Sequence, residues 1–569
     1  MLENMLDYVR ITLYAVLVAL GFLLFQAWEK EHPPESPAPT TQTSTIPQGR
    51  FVPETTPASS TAGVPPQITQ TAAQVTAPTE PVAPVVSTSQ LITVTTDTLE
   101  VKIDTRGGDM VEAKLLHYPE SLGSKTPFLL LNDDPKSRYL AESGLLSKQG
   151  PDTPAEQAIY TSPQTSYTLN PAENTVTVDL NWKNPQGLTV TKTFTFTRNS
   201  YEIQVAYAIQ NQSQETWTGN MYTQLLRTNT PPPNHGGVIN LTTYFGAAVS
   251  TPDKPFQKLP FKDMQTKPFA QTAQDGWVAM IQHYFISAWI PPKTEVSNFY
   301  STVTNNGLYT VGMMSQPLTV APGASLTSSA KLYVGPTIAD LLEKTAPHLQ
   351  LTIDYGWFWF ISGIIFWMMQ KIYDVVGNWG WSIVLVTIII KLLFYQLSAK
   401  SYRSMSKLKK LQPRIEQLRE RFGEDKQKLT QATLELYRQE KVNPMTGCLP
   451  ILIQIPVFIA LYWVLVESVQ LRQAPFILWI HDLSQQDPYY ILPVLMGISM
   501  FIQQRLNPPP PDPLQAKIMM LMPVIFTVLF ANFPSGLMLY WFVNNTLSFL
   551  QQWYIMKSIE KEGNGHHRK

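Results

Sequence analysis

The chain has 569 residues, no formal net charge, 15% charged residues and 14 tryptophans. This composition fits neither an ordinary soluble domain nor a pure membrane bundle, so a chain of uniform character is excluded. The average conceals two halves of different composition, which indicates separate domains.

The first 30 residues contain an uncharged apolar stretch of 18 residues, ITLYAVLVALGFLLFQAW, at 11–28. At about 1.5 Å per helical residue, this stretch is just long enough to cross a hydrocarbon core of roughly 30 Å. It ends in Trp28, Glu29 and Lys30 rather than in the small residues of a signal-peptide cleavage site. We therefore expect residues 1–30 to form an uncleaved transmembrane anchor.

Residues 31–90 contain twelve Pro and twelve Thr, few aromatic residues and no periodic apolar pattern. A segment of this kind cannot bury enough apolar surface to offset the conformational entropy that folding would remove. We expect it to be a flexible, partly extended linker.

Residues 91–345 alternate apolar and polar side chains, as in TVTVDLNW at 175–182 and LTVTKTFTFTRNSYEIQVAYAI at 188–209. In these runs Val, Phe and Tyr recur every second residue among Thr and Lys, which is the period of half-buried antiparallel strands. Turn signals such as Asn184-Pro185 separate the runs. The pattern predicts a large antiparallel β-sandwich with short helices near its end.

The sequence contains no catalytic signature that we recognise. It has no phosphate-binding glycine loop, no HExxH motif and no paired-cysteine metal spacing. The lone cysteine, Cys448, cannot form an intrachain disulfide. We therefore predict no enzymatic activity, no metal site, no cofactor and no small-molecule substrate.

After residue 350 the chain becomes apolar. Residues 357–369, WFWFISGIIFWMM, form a short run rich in aromatic side chains, which favours an amphipathic helix within 350–376 that lies in the membrane interface. Five further segments are each near the length that spans a bilayer: 381–399, about 447–466, about 489–506, 518–533 and 536–556. Residues 380–556 are therefore predicted to form a core of five transmembrane helices.

The charges of the connecting loops predict the topology. The loop from Lys400 to Lys441 holds twelve Lys and Arg against six acidic residues, the loop at 469–488 has only Arg472, and the tail at 557–569 has four basic and two acidic residues. Positively charged loops remain in the cytoplasm. If 357–369 spanned the bilayer, the β domain would share the cytoplasmic side with the basic loop. The simpler arrangement has six spans, both termini in the cytoplasm and the β domain outside.

The basic loop at 400–443 is predicted to fold as a helical hairpin. The apolar residues of its first helix follow spacings of three and four, and they can pack on a second helix: Met405, Leu408, Leu411, Ile415, Leu418 and Phe422, facing Leu429, Ala432 or Thr433, and Leu436. Gly423 ends the first helix, and Pro413 is expected to kink it. The basic outer face is either a solvated surface or a docking site for RNA-rich or anionic partners.

The predicted spans hold several polar residues that anchoring does not require. Thr387 and Lys391 share a helix face, and Gln454 interrupts an apolar run. In the last span, Tyr540 and Asn544 share a face and Asn545 is adjacent to them. Polar side chains at membrane depth usually face a bundle interior or water. Ordinary interhelical hydrogen bonding is an alternative for the amides, and Thr387 can bond its own helix backbone.

Lys391 is the cation of this group, and the sequence offers it no acidic partner at the same depth. Glu467 lies near the outer end of its segment, and Asp482 and Asp487 lie in the outer loop. A lysine without such a partner needs water or a visiting anion, which indicates a hydrated groove open from the cytoplasm. Alternatively, Lys391 extends its side chain to the cytoplasmic interface.

Long strings after residue 350 resemble the YidC family of bacterial membrane protein insertases. They are GNWGWSIVLVT, SMSKLKKLQPRIEQLRERFGEDKQK, KVNPMTGCLPILIQIPVFIALYWVL, LRQAPFILWIHDLSQQDPYYILPVLMG and MPVIFTVLFANFPSGLMLYWFVNN. The resemblance covers about 350–560 almost continuously. The anchor, linker and outer sandwich are arranged as in the Gram-negative members, whose large domain is periplasmic.

The resemblance implies an insertase and chaperone of the inner membrane that works without nucleotide hydrolysis, alone or beside the Sec translocon. Its groove would receive nascent membrane proteins and would be lined by Lys391, Thr387, Gln454, Tyr540, Trp541, Asn544 and Asn545. The hairpin and tail would contact the ribosome, or the signal recognition particle and its receptor, through Lys407, Lys409, Lys410, Arg414, Arg419, Arg421 and Lys569. The chain departs from the family at two positions, because Lys391 stands where arginine is common and Gln396 where many relatives have proline.

Two other classes of protein remain as alternatives. A secondary transporter would also place polar groups at mid-depth, although we find no internal repeat between the two halves of 381–556. An intramembrane Ser-Lys hydrolase would use Lys391 as its base, but no spacing in the sequence identifies the serine.

Overall fold

The computed structural model describes residues 89–153, 156–231, 243–304, 306–423, 425–440, 442, 449–507 and 513–566. These residues belong to one compact unit. The anchor predicted at 1–30, nearly all of the linker predicted at 31–90, Cys448 and Lys569 lie outside the described residues.

The strands of the first half begin at Leu91. They are β1 (Leu91–Thr95), β2 (Leu99–Asp104), β3 (Asp109–Pro119), β4 (Pro127–Leu131), β5 (Tyr139–Leu146), β6 (Ser166–Thr168), β7 (Thr175–Lys183), β8 (Leu188–Thr197), β9 (Glu202–Asn211), β10 (Trp217–Thr228), β11 (Phe245–Thr251), β12 (Lys254–Leu259), β13 (Ala270–Gln274), β14 (Trp277–Gln282), β15 (Phe285–Ile290), β16 (Val296–Val303), β17 (Leu308–Ser315), β18 (Leu318–Val320) and β19 (Ser325–Pro336).

These strands form two sheets that share one core. The larger sheet has the order β13-β16-β17-β10-β5-β3-β2-β1-β6, with β18 paired to β10 and β4 paired to β3. The smaller sheet has the order β12-β11-β14-β15-β19-β9-β8-β7. The pairs are antiparallel apart from β1 with β6. The predicted β-sandwich is confirmed, and buried aromatic residues such as Trp217, Trp277 and Trp289 fill its centre.

The alternating run at 188–209 forms two strands, β8 and β9, which are separated by a turn with Asn199 at φ 53°. Residues of β8 alternate between buried and half-buried positions, as a strand with one face on a core requires. Lys192 is in phase with Val190 and Phe194, and it is fully buried. The alternation therefore places Lys192 on the core face, although a lysine is rarely fully buried without a partner.

Lys192 is the centre of a buried polar cluster between the sheets. Its ammonium donates to the backbone oxygens of Gly107 at 3.0 Å and Ser143 at 2.8 Å. Burial raises the pKa of Asp109 to about 6, that of Asp152 to about 7 and that of Glu142 to about 8. Burial also lowers the pKa of Lys192 to about 8. Burial therefore shifts each of these groups towards its neutral form relative to solvent, while Lys192, with a pKa of about 8, remains mostly protonated at pH 7.

Most of the helices follow the β domain along the chain. Two short helices, α1 (Phe261–Thr266) and α2 (Ala339–Thr345), belong to the β domain, and α3 (Trp359–Val376), α4 (Trp379–Leu393), α5 (Tyr395–Phe422), α6 (Lys426–Gln439), α7 (Leu449–Glu467), α8 (Ile491–Leu506), α9 (Pro513–Phe530) and α10 (Ser535–His566) follow it. Gly377, at φ 68°, ends α3 in the left-handed conformation and permits the turn into α4.

The segment predicted as one span at 381–399 is not a straight helix. It breaks at Phe394, where α4 and α5 meet with a bend of 67°. Within the described residues no single helix is both long and apolar enough to cross a membrane by itself, whereas α4 and α5 together are. The apolar stretches Ile453–Glu467, Ile491–Leu506 and Ala516–Phe530 are shorter. The sequence prediction overestimated the straight length because the apolar run continues through the bend.

The hairpin and the tail also differ in detail from their predicted bounds. Helix α10 continues to His566, so most of the tail predicted at 557–569 extends the last helix. In the hairpin of α5 and α6, Leu408 and Leu411 are buried against Val442 and Tyr437. Met405 packs instead on the end of α10, beside Ile555 and Ile559. The predicted seam is therefore shared between two neighbours of α5.

The β domain contacts the outer loop between α7 and α8 directly. The guanidinium of Arg472 donates to the backbone oxygens of Pro119 at 2.7 Å and Glu120 at 3.0 Å. A ring nitrogen of His283 lies 2.8 Å from the backbone oxygen of Val466. The sandwich is thus fixed to the helical part by contacts that are independent of the linker.

Candidate functional site

The long helix α10 lies at the centre of the helical part, where it packs against α4, α5, α7 and α8. Its outer half joins an apolar cluster that includes Leu537, Met538 and Leu539. Gly497 of α8 allows a close approach to α9, since a Cβ there would lie 2.0 Å from the hydroxyl oxygen of Thr527. Helices α8 and α9 are therefore closely packed at this point.

A cavity of about 510 Å³ opens among α7, α8, α9 and α10. Its wall combines amide and hydroxyl groups with aromatic and methionine side chains: Gln454, Ile455, Phe458, Met500, Gln503, Gln504, Asn507, Met519, Met522, Phe526, Tyr540, Trp541, Asn544, Asn545 and Ser548. A space of this size is well above what a single water molecule needs, and its amides can hold several waters. The cavity can therefore accept a polar chain segment within an apolar bundle.

Gln454 connects α7 to α10 across this cavity. Its amide nitrogen donates to the side-chain oxygen of Asn544 and lies 3.4 Å from the Tyr540 hydroxyl. Gln454 also lines a second cavity of about 30 Å³, together with Lys391. Gln454 therefore forms part of the wall of both cavities, and Lys391 lines the smaller one.

The ammonium of Lys391 donates to the hydroxyl oxygen of Ser548 at 2.6 Å. That hydroxyl in turn donates to the backbone oxygen of Asn544 at 2.7 Å. Lys391 lies three residues before the bend at Phe394, and its side chain is directed towards α10. This geometry differs from the alternative in which the side chain extends to the interface.

The structure brings most, but not all, of the predicted groove residues together. Lys391, Gln454, Tyr540, Trp541, Asn544 and Asn545 line one or other of the two cavities. Thr387 does not, because it is buried and its hydroxyl donates to the backbone oxygen of Ile383 at 2.6 Å. The amide of Asn545 donates to Ser499 at 3.3 Å, which also links α10 to α8. Interhelical bonding therefore accounts for part of the polar content of the spans.

Sequence reasoning missed two polar residues of α10, Ser548 and Gln552. Ser548 holds Lys391, and the amide of Gln552 donates to Asn507 at 2.9 Å. Together with Tyr540 and Asn544 they are spaced by four residues and follow one face of the helix. The sequence could have indicated both residues, because two further intervals of four residues after Asn544 lead to Ser548 and Gln552.

The basic residues predicted to contact a ribosome or targeting factor are exposed on α5. They are Lys407, Lys409, Lys410, Arg414, Arg419 and Arg421. Arg414 forms an ion pair with Glu440 beyond the end of α6, so its charge is partly compensated. In the described part of the chain, no group of His, Cys, Asp and Glu side chains is arranged to hold a metal ion.

The outer surface of the helices has the character of a lipid-facing wall. Large apolar side chains are exposed there, among them Leu392, Leu393, Val524 and Val528. Many exposed large apolar side chains around a cavity that carries amide and hydroxyl groups are unusual for a soluble protein. The fold and the site together define a helical membrane protein that carries a large β-sandwich domain.

Comparisons with known proteins identify the family. Residues 91–368 match the family model of the YidC periplasmic domain, and residues 371–562 match that of the 60Kd inner membrane protein. A membrane protein insertase YidC of Legionella pneumophila is 48% identical over 560 residues, which cover 98% of each chain. The corresponding protein of Coxiella burnetii is 47% identical over 564 residues, with 98% of this chain and 97% of the relative covered. The chain belongs to the YidC family of membrane protein insertases.

A solved structure gives a weaker match. It is the crystal structure of an active YidC insertase with its first transmembrane domain resolved, and it shows 20% identity with a TM-score of 0.39. The match covers 82% of this chain and 93% of the other.

Proposed function

We propose that this protein inserts nascent membrane proteins into the bacterial inner membrane and assists their folding. A polar segment of the substrate enters the cavity among α7, α8, α9 and α10 while its apolar helix moves into the surrounding lipid. The observation that carries this proposal is a cavity of about 510 Å³ whose mainly apolar wall carries several amide and hydroxyl groups, inside a bundle with many exposed apolar side chains. The relatives in the same family are named insertases rather than enzymes, which agrees with the predicted lack of enzymatic activity.

The physical problem of insertion is the desolvation of polar groups. Each backbone or side-chain group that enters hydrocarbon without a hydrogen-bond partner costs several kcal/mol. A water-filled cavity that reaches partway through the bilayer shortens the apolar distance over which this cost applies. Transfer is completed by partitioning an apolar helix of about 20 residues into lipid, and the membrane potential acts on negative charge.

The topology is part of the proposal. We infer six spans, of which the first is the anchor at 1–30, the second is α4 with the bent start of α5, and the others are α7, α8, α9 and α10. Helix α3 lies along the outer interface, where its exposed Trp359 and Trp367 contact lipid headgroups. This arrangement places both termini and the hairpin in the cytoplasm and the sandwich in the periplasm.

The partners follow from this topology. The exposed basic surface of α5 faces the cytoplasm and is suited to the acidic RNA of a ribosome or to a targeting factor such as the signal recognition particle or its receptor. The apolar exterior of the helices offers a surface for the Sec translocon, beside which the protein would work for larger substrates. No cofactor and no small-molecule substrate are part of the mechanism.

The contact between Lys391 and Ser548 also bears on the hydrolase alternative. A serine nucleophile needs a base that accepts its proton, but the hydroxyl of Ser548 already donates to the backbone oxygen of Asn544 at 2.7 Å. The ammonium of Lys391 donates to the hydroxyl oxygen of Ser548, so the lysine acts as a donor rather than a base. A serine-directed covalent probe that labelled Ser548 would favour the hydrolase.

Site-specific photocrosslinking tests the groove. A photoreactive residue at Gln454 should crosslink to a short membrane protein during its synthesis, because this side chain lies between the two cavities. The matched control is Leu385, a residue of α4 that lines neither cavity and is 36% exposed. Equal crosslinking from both positions, or none from Gln454, would contradict the proposed path.

A second test uses the charge of Lys391. Lys391→Glu should fail for substrates with acidic translocated tails, since like charges repel strongly where screening is weak. Lys391→Ala should cause a smaller loss that disappears for neutral tails, and Lys391→Arg should retain insertion because the charge is kept. The assay is insertion of matched acidic and neutral-tailed single-span substrates into vesicles with equal amounts of each variant. Indifference of the Ala and Glu variants to tail charge would contradict the electrostatic role.

A further inference from the structure

The hydroxyl of Ser548 lies where three helices meet. It accepts from Lys391 of α4 at 2.6 Å and donates to the backbone of its own helix α10 at 2.7 Å. The buried Tyr402 of α5, which follows the bend at Phe394, interacts with the same hydroxyl. Ser548 itself is 3% exposed. A single serine thus joins the two arms of the bent segment to the central helix.

The one proton of this hydroxyl is already donated. A serine hydroxyl has one proton to donate and two lone pairs that accept. The proton goes to the Asn544 backbone, and one lone pair accepts from the Lys391 ammonium. The hydroxyl therefore cannot rotate to serve another partner without losing one of these bonds, which makes it a rigid acceptor for the ammonium.

A lysine side chain has four flexible carbon–carbon bonds and no preferred direction of its own. Within the described residues, no acidic side chain forms an ion pair with Lys391. The hydrogen bond to Ser548 is consequently what holds the ammonium beside the wall shared by the two cavities, and Ser548 also lines the larger of them.

We propose that Ser548 is a positioning residue that fixes the Lys391 ammonium at the edge of the cavity, so that the acidic tail of a substrate meets a cation of defined location. The inference rests on the proposed insertase function and adds a determinant of substrate preference to it. An entering carboxylate replaces part of the interaction with the neutral hydroxyl, because a hydrogen bond between two charged groups is stronger than one to a neutral acceptor.

The test is a comparison of Ser548→Ala with Ser548→Thr in the two-substrate assay. A hydrogen bond to a charged group contributes roughly one to two powers of ten in an equilibrium. We expect Ser548→Ala to lower insertion of the acidic-tailed substrate about tenfold and to leave the neutral-tailed substrate within twofold of wild type. Ser548→Thr retains a hydroxyl and should restore most of the preference for the acidic tail.

Two controls separate positioning from folding. Ser362→Ala removes another buried serine, which lines neither cavity and whose hydroxyl donates to the backbone oxygen of Ala460 at 3.1 Å. This variant should not lower the insertion of one substrate more than that of the other. Tyr402→Phe removes the phenolic hydroxyl that interacts with Ser548 and leaves Lys391 in place, so the acidic preference should persist. Each variant is first shown to be monodisperse and present at equal amount in the vesicles.

The possible outcomes are distinct. An equal loss for both substrates in Ser548→Ala, or no loss for either, would overturn the positioning role while leaving the insertase function standing. Loss of the acidic preference in Ser548→Thr as strongly as in Ser548→Ala would also overturn it. Failure of the wild-type protein to insert either substrate would refute the proposed function, and the positioning role would fall with it.

Discussion

Replacing Arg472 by alanine should loosen the β domain from the helical part without unfolding either. The guanidinium makes two bonds, to the backbone oxygens of Pro119 and Glu120, and it lies 5.6 Å from the ring centres of both Phe128 and Phe285. Charged hydrogen bonds contribute about 1.5–3 kcal/mol each, and an exposed cation–π contact adds about 0.5–1 kcal/mol. Because the site is partly open to solvent and such contributions are not additive, we expect a loss of about 3 kcal/mol.

A loss of this size raises the population of the locally opened state roughly a hundredfold. Hydrogen exchange measures it directly, since the amide of Glu120 donates to Thr126 and that of Gln473 donates to Asp482 within the two contacting loops. Both amides should exchange about a hundred times faster in Arg472→Ala. Arg472→Lys keeps the charge but loses the planar fork, so its effect should be intermediate.

The remaining contact between His283 and Val466 should keep the domain attached. Gln473→Ala is the matched control, because its side chain makes one neutral bond of 3.3 Å to Pro119. Exchange in Arg472→Ala that stays within twofold of wild type would refute the reasoning. Acceleration throughout both domains would refute it equally, since it would indicate global unfolding rather than undocking.

Three further predictions concern other parts of the chain. Leu411→Pro should abolish insertion, because a proline at this buried position breaks the hairpin at a cost of about 3 kcal/mol or more. Lys409→Ala removes only an exposed charge and should insert substrates at the wild-type rate. Equal defects in the two variants would instead indicate a specific charge contact. Burial raises the pKa of Glu142 to about 8, so its contribution to stability is complete below the ordinary value of 4.5 and is lost as the pH rises through 8. The melting temperature of Glu142→Gln should therefore change less between pH 5 and 8.5 than that of the wild type. The same pH dependence of the melting temperature in both proteins would contradict this prediction. Deleting 95–320 should preserve insertion in purified vesicles, because the polar cavity residues all follow residue 380, and a loss with the helices still folded would disprove it.

The strands illustrate what periodicity can determine. Alternation along β8 predicted a half-buried strand because a strand exposes successive side chains on opposite faces. The same alternation places Lys192 inwards, but residue type suggested the opposite. Only the packing of the second sheet supplies the carbonyl oxygens of Gly107 and Ser143 that make its burial possible. The local sequence was therefore sufficient to predict the strand, whereas the burial of Lys192 depended on partners 85 and 49 residues away.

In the helical part, too, some features follow from the local sequence and others depend on tertiary packing. Apolar length predicted that helices follow residue 380, because this depends on the local sequence. The bend at Phe394 did not follow from hydropathy, which is continuous through it. Thr387 and Lys391 looked equivalent as polar residues on one helix face, yet one bonds its own backbone and the other reaches α10.

The sequence by itself determined the family, the β-sandwich, the apolar helices and the identity of a cation among them, since each is encoded in strings or periods of neighbouring residues. The tertiary structure decided which polar residues meet. Ser548 is 157 residues from Lys391, and it became the partner of the lysine only because α10 packs against α4 at that level. A hydrogen bond requires two atoms within about 3 Å, and the packing of separate helices, rather than their individual sequences, sets that distance.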